Sequence, residues 1–148
     1  MIVDSFVQIF TEDLDALKKE VELYKSEESL WAISKGISNS GGNLCLHLVG
    51  NLNTYIGVEL GKTTYVRRRD LEFSLKNIPR EILLEQIDNV QRIVKESLNN
   101  VVDEHLNNLY PVKKYEPSVT LGYMLIHLAN HLRYHLGQIN YHRRLIDA

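Results

Sequence analysis

The chain has 148 residues, 17 of them basic and 19 acidic, a formal net charge of −2 and 44% hydrophobic content. That is one domain's worth of ordinary globular sequence, so a single domain over 1–148 is expected. The balanced charge excludes a strong basic field for nucleic acid, and no apolar run approaches the roughly 18 residues of a membrane span. The start, MIVDSFVQIFTED, has neither the positive nor the apolar region of a secretory signal. With Cys45 the sole cysteine, no intramolecular disulfide can form, and a reducing cytoplasm is the expected location.

Val3, Phe6, Phe10, Leu14, Leu17, Val21 and Tyr24 recur at steps of three and four, which predicts a first amphipathic helix over about 2–25. Lys25–Asn39 has weak periodicity, and its Trp31 is expected to cover one end of the core. Ser38-Asn39-Ser40-Gly41-Gly42 reads as a helix start, and Gly61 as a C-terminal glycine, which bounds a second helix at about 41–60. Its apolar side is Leu44, Leu48, Leu52 and Tyr55, with His47 on the edge and Cys45 pointing away. Residues 61–79 are polar and without a stripe, the longest irregular connection, and connections of that length are usually functional or interfacial.

Pro79 suits a first-turn position with Asn77 as a nearby cap, opening a third helix over about 79–101 on Leu83, Ile87, Val90, Val94, Leu98 and Val101. Asp103–Leu106 reads as a short helical turn, on which His105 is a surface residue. Pro111 and Pro117 bracket an extended crossing, and Ser118 is placed to cap a fourth helix over about 119–146. No segment alternates as a strand. Four long amphipathic helices with one long crossover between the second and third predict an all-α four-helix bundle, a fold that builds metal sites from inward side chains on facing helices.

The fourth helix, from Thr120 to Ile146, carries four of the six histidines, His127, His131, His135 and His142. At roughly 100° per residue, His131 and His135 project from neighbouring points on one face, and Met124, His127, Gln138 and His142 fall within about 40° of the same line. A row of imidazoles on an inward face needs partners for its nitrogens, and a divalent metal is one such partner. The i, i+4 pair offers two nitrogens, a usable site wants a third, and His47 is the other histidine on the inner side of a long helix. Hydrogen-bonded core histidines and helix-surface histidines are the alternatives. His127 reads as a partly buried, hydrogen-bonded group, His142 as a histidine favoured by the helix C-terminal dipole, Gln138 as a ligand contact or a helix contact, and Cys45 as a small buried apolar residue.

The run His131-Leu-Arg-Tyr-His135-Leu-Gly137-Gln138-Ile139 resembles the helix-four signature of the DinB/YfiT-like superfamily of metalloenzymes. Leu44-Cys45-Leu46-His47-Leu48-Val49-Gly50-Asn51 is similar to its helix-two pattern, and Tyr65–Phe73 to a loop of one uncharacterised branch, from which Arg67-Arg68 departs where Arg-Asp is usual. The likeness spans nearly the whole chain. It implies metal ligands at His47, His131 and His135, with His127, Gln138, Asn51, Arg67 and Arg69 as supporting or substrate-binding positions. Three neutral imidazoles suit zinc or nickel and leave coordination positions open, which lowers the pKa of a bound water or thiol. Some relatives use bacillithiol or mycothiol, so the resemblance implies a metal-dependent thiol S-transferase acting on a small-molecule substrate with a low-molecular-weight thiol as co-substrate. Arg67, Arg68 and Arg69 then steer an anionic substrate, or else pair with Asp70, Glu72 and helix-one carboxylates. The 61–79 connection is also suited to docking a second copy, giving a homodimer. The competing expectation is a non-catalytic metal-binding or helical interaction module acting in stress response.

Overall fold

The computed structural model describes residues 1–112 and 117–148. Six α-helices follow in order: α1 (Ile2–Leu23), α2 (Glu27–Leu30), α3 (Gly41–Leu52), α4 (Arg69–Ser74), α5 (Arg80–Leu98) and α6 (Leu121–Ile146). A π-helical segment, Asn53–Val58, continues α3, and a 3₁₀ turn, Asp103–Asn107, follows α5. Among the described residues there is no strand, only an isolated antiparallel bridge between Leu109 and Thr120 at the entry to α6. No helix among them is long and apolar enough to cross a membrane.

The chain is all-helical because its apolar residues fall at helical spacing, and those stripes make the core. Phe10, Leu14, Leu17 and Val21 of α1 meet Leu83, Ile87, Val90 and Val94 of α5 and Leu125, Leu128 and Leu132 of α6, all almost fully buried. Each such side chain contributes about 1.5–3 kcal/mol on leaving water. α1 packs against α5 and α6, and α3 packs against the same two helices, so each of the four long helices has two long neighbours. Trp31 closes one end, lying so close to the first turn of α3 that a Cβ on Gly42 would stand 2.8 Å from its ring.

Several details differ from the sequence reading, each for a local reason. α6 is capped by Thr120, whose hydroxyl accepts from Tyr123 N, rather than by Ser118. Pro79 is itself the N-cap of α5; Asn77 takes a positive φ of 60°, and Arg80 N donates instead to Glu27 Oε1 at 2.8 Å. The left-handed residue after the second long helix is Lys62, φ 56°, while Gly61 leaves room for the Ser97 side chain. The expected extended crossing between Pro111 and Pro117 falls partly on residues 113–116, outside the described residues.

The largest differences surround α3. All twelve of its residues are buried, so His47 lies inside rather than on an edge. The cover comes from the 61–79 connection, which is not irregular throughout: α4 forms within it and packs on α3. Asn43 ties the two together, donating from Nδ2 to the carbonyls of Glu72 and Leu75 at 2.9 and 2.8 Å. In the π-helical continuation, Thr54 Oγ1 donates to Gly50 O at 2.8 Å and Asn53 Nδ2 to Val49 O at 3.0 Å. These bonds occupy carbonyls where the backbone register widens from i+4 to i+5.

Candidate metal centre

His47 from α3 and His131 and His135 from α6 meet between the two helices. Each offers one nitrogen, and the three nitrogens lie within 4.8 Å of one another. The ring centroids are 5.0 Å apart for His47 and His131, 5.1 Å for His47 and His135, and 4.6 Å for His131 and His135, in edge-to-face arrangements. His47 Nε2 stands 3.1 Å from His131 Nε2.

Hydrogen bonds at the far nitrogens decide which side of each ring is available. Glu72 Oε1 is 3.0 Å from His47 Nδ1. A carboxylate only accepts, so Nδ1 carries a proton, which leaves Nε2, on the cluster side, as the nitrogen available to a ligand. Gln138 Oε1 likewise lies 2.7 Å from His135 Nδ1, and Gln138 Nε2 donates onward to the Tyr134 hydroxyl at 3.2 Å. His135 therefore also donates from Nδ1 and presents Nε2. Burial pushes the pKa of His135 below the ordinary histidine value; the Gln138 bond opposes the shift and the neighbouring His47 adds to it. The neutral, metal-ready form is favoured.

Glu72 is held as a carboxylate by its surroundings. Burial alone would raise its pKa, but hydrogen bonds from His47 and Arg67 outweigh that and lower it. Arg67 grips both oxygens, Nε to Oε2 and Nη2 to Oε1, each at 2.9 Å. The carboxylate lies flat against α3 only because residue 50 is glycine, where a Cβ would overlap it. Asn43, His47 and Gly50 thus form one face of α3, at i, i+4 and i+7, on which α4 sits.

Divalent metal fits this donor set. Nitrogens at about 2.0–2.1 Å from a tetrahedral zinc stand roughly 3.3 Å apart, close to the observed 3.1 Å pair. The group as a whole closes on an ion with inward ring movement on the order of 1 Å. Without an ion, the 3.1 Å contact is a hydrogen bond from His131 Nε2–H to His47 Nε2, and an ion held by His131 Nε2 would require that ring's proton to sit on Nδ1 instead. Three imidazoles, one of them bonded through its outer nitrogen to a carboxylate, match the histidine sites in which an acceptor behind the ring fixes the tautomer.

The other expected positions sort out by geometry. His127 is a half-buried ring one turn from His131, centroids 6.5 Å apart, and lies outside the ligand group. Asn51 is buried, and its Oδ1 has no hydrogen-bond partner. Arg67 is committed to Glu72, and Arg69 lies over the Phe73 ring at 5.3 Å, so the pairing of Arg67 with Glu72 is the arrangement found. His142, expected as a histidine favoured by the helix C-terminal dipole, is held instead by direct partners. It is buried, with Nδ1 2.7 Å from the Tyr24 hydroxyl and Nε2 2.8 Å from Ala32 O. Cys45 is fully buried, and burial pushes its thiol up to about 12.

Glu72 and Gly50 are the site residues that composition and spacing did not single out. A small residue three positions after His47, facing a charged segment, was the available signal for Gly50; for Glu72 it was an arginine and a carboxylate five residues apart in a segment too short for periodicity.

An all-helical chain with three convergent histidines backed by a buried carboxylate defines a class of protein able to hold a divalent ion. The chain belongs to the family described as "Protein of unknown function (DUF1572)", which it matches over residues 2–148. No curated protein matches it.

Proposed function

We propose that this chain is a DinB/YfiT-like four-helix bundle that binds one divalent metal ion, zinc or nickel, at His47, His131 and His135, and that it is a metal-dependent thiol S-transferase. The observation that carries the reading is the pairing of outer acceptors with inner nitrogens. Glu72 and Gln138 each accept a hydrogen bond from the Nδ1–H of a different histidine, and so present two Nε2 atoms beside His131. A buried carboxylate needs compensation, which Arg67 supplies, so Glu72 stays charged to orient His47.

A bound ion supplies Lewis acidity that lowers a thiol's pKa toward neutrality. The chain's residues hold the rings in register, keep the site half-buried and admit the second substrate from the His135 side. In the transfer, the thiol sulfur bonds to an electrophilic carbon, the leaving group departs with the electron pair, and the thiol proton passes to solvent. The thiol comes from a small-molecule co-substrate, because Cys45 is enclosed and protonated.

Elemental analysis of untagged protein tests the reading: about one equivalent of a transition metal is expected, lost in His135→Ala. The rival reading, a helical interaction module with hydrogen-bonded core histidines, draws on the 3.1 Å His47–His131 contact and expects under about a tenth of an equivalent.

A further inference from the structure

A cavity of about 560 Å³ opens beside His135 and Gln138, between residues 36–39 and the C-terminal half of α6. That volume lies within the range of small-molecule sites. Its walls carry Ile37, Leu44, Tyr134, Tyr141 and Leu145, and among the described residues lining it there is no Lys, Arg, Asp or Glu. Arg144, the nearby cation, lies over the Tyr141 ring at 5.4 Å and is not part of the lining. In the metal-free protein a carboxylate entering here would lose hydration with no cation in the lining to replace it.

Gly137 is the second, independent observation. It sits inside α6, where glycine is a poor helix former, and a Cβ added to it would meet nothing within 4 Å. No packing demand therefore requires it; what its missing side chain leaves is cavity. It lies between Tyr134 and Tyr141, at i+3 from one and i−4 from the other, so the two exposed rings flank a gap on one helix face. Such a gap suits a flat ring held by offset or edge contacts. The polar groups at one end are His135 and the Gln138 amide, already linked to the Tyr134 hydroxyl.

We infer that this cleft binds an uncharged, largely apolar molecule of aromatic size, its polar end toward His135 and Gln138. That the occupant is the electrophilic substrate rests on the metal-dependent reading above. That the cleft prefers neutral aromatics does not. Polycarboxylate thiols find no lysine or arginine in this lining, which favours the electrophile over the thiol as its occupant.

Fluorescence titration with N-phenyl-1-naphthylamine, an uncharged probe, tests this on metal-free and zinc-treated full-length protein. Zinc stoichiometry is measured on the same samples. Saturable binding is expected in both. On the metal-free protein, 2-naphthalenemethanol should displace the probe at concentrations about tenfold or more below those needed for 2-naphthoate. Gly137→Leu, which fills the gap, should weaken probe binding by about tenfold or more. Leu145→Arg changes an exposed wall residue and should make naphthoate an effective competitor. Equal displacement by the two naphthalenes, or undiminished binding by Gly137→Leu together with an unchanged preference in Leu145→Arg, overturns the inference. Stoichiometric zinc without probe binding also overturns it and leaves the metal site standing. Probe binding without zinc uptake retains the cleft and removes the metal reading.

Discussion

His135 and His142 stand two turns apart on the same helix and have opposite chemistry. His142 is buried and has a protein partner at both nitrogens, the Tyr24 hydroxyl and the Ala32 carbonyl. His135 has one protein acceptor, Gln138, on Nδ1, and turns its other nitrogen toward His47 and His131. His142 commits both nitrogens to a hydroxyl and a backbone carbonyl, neither of which an ion could replace. His135 is tied on its outer nitrogen only, and its inner nitrogen faces two other imidazoles, the surroundings that a metal site uses. The comparison shows that position in a histidine-rich helix does not set a ring's surroundings; the segments packed against it do.

The sharpest way to break this contrast is to remove one histidine at a time and read zinc and stability together. His47→Ala or His135→Ala should weaken zinc more than the roughly 100-fold upper range for losing an outer-shell partner, measured by chelator competition. Glu72→Leu, which leaves the ligands in place but frees the His47 tautomer, should cost about 10–100-fold in zinc affinity. Glu72→Gln, which keeps an acceptor oxygen, should cost less, and ¹⁵N shifts of the His47 ring should report a retained Nδ1 proton in Gln but not in Leu. A Leu variant with wild-type affinity would break the link between α4 and the site.

His142→Ala should behave in the reverse way, losing about 1–3 kcal/mol in urea unfolding because buried polar groups lose their partner, with zinc affinity unchanged. The smallest effect is that of pH. The pKa of His135 is depressed below 6.5, chiefly by burial. The folded chain therefore binds fewer protons here than the unfolded chain. The stability this ring contributes is complete above about pH 6.5 and is lost as pH falls through the folded value. A ¹H titration of metal-free protein should place the His135 midpoint below the ordinary histidine value of about 6.5. A midpoint at or above it would contradict the burial argument.

The four long helices were legible because each repeats apolar residues over several turns, as Phe6, Phe10, Leu14, Leu17 and Val21 do. The pair His131 and His135 was legible for the same reason, since a helix turns i and i+4 to one side. What lay beyond the sequence was short or depended on contact. α4 has six residues, too few for a period to emerge from its charges. The burial of α3 on every side depends on where α4 lands, so a stripe analysis left His47 on an edge. The π-helical segment from Asn53 has no spacing signature, and Glu72 looked like one acid among several charges in a basic loop. His142 fell on the same line as the ligand pair, and only its distances to Tyr24 and Ala32 separate it from them.

The central claim is that His47, His131 and His135 grasp one ion together. X-ray absorption at the zinc edge, on untagged protein loaded with one equivalent, tests it most directly. Three imidazole nitrogens at about 2.0–2.1 Å are expected, with the histidine scattering reduced in each single alanine variant. Zinc bound with fewer than three imidazoles, or a spectrum unchanged by removing any of these residues, would contradict it.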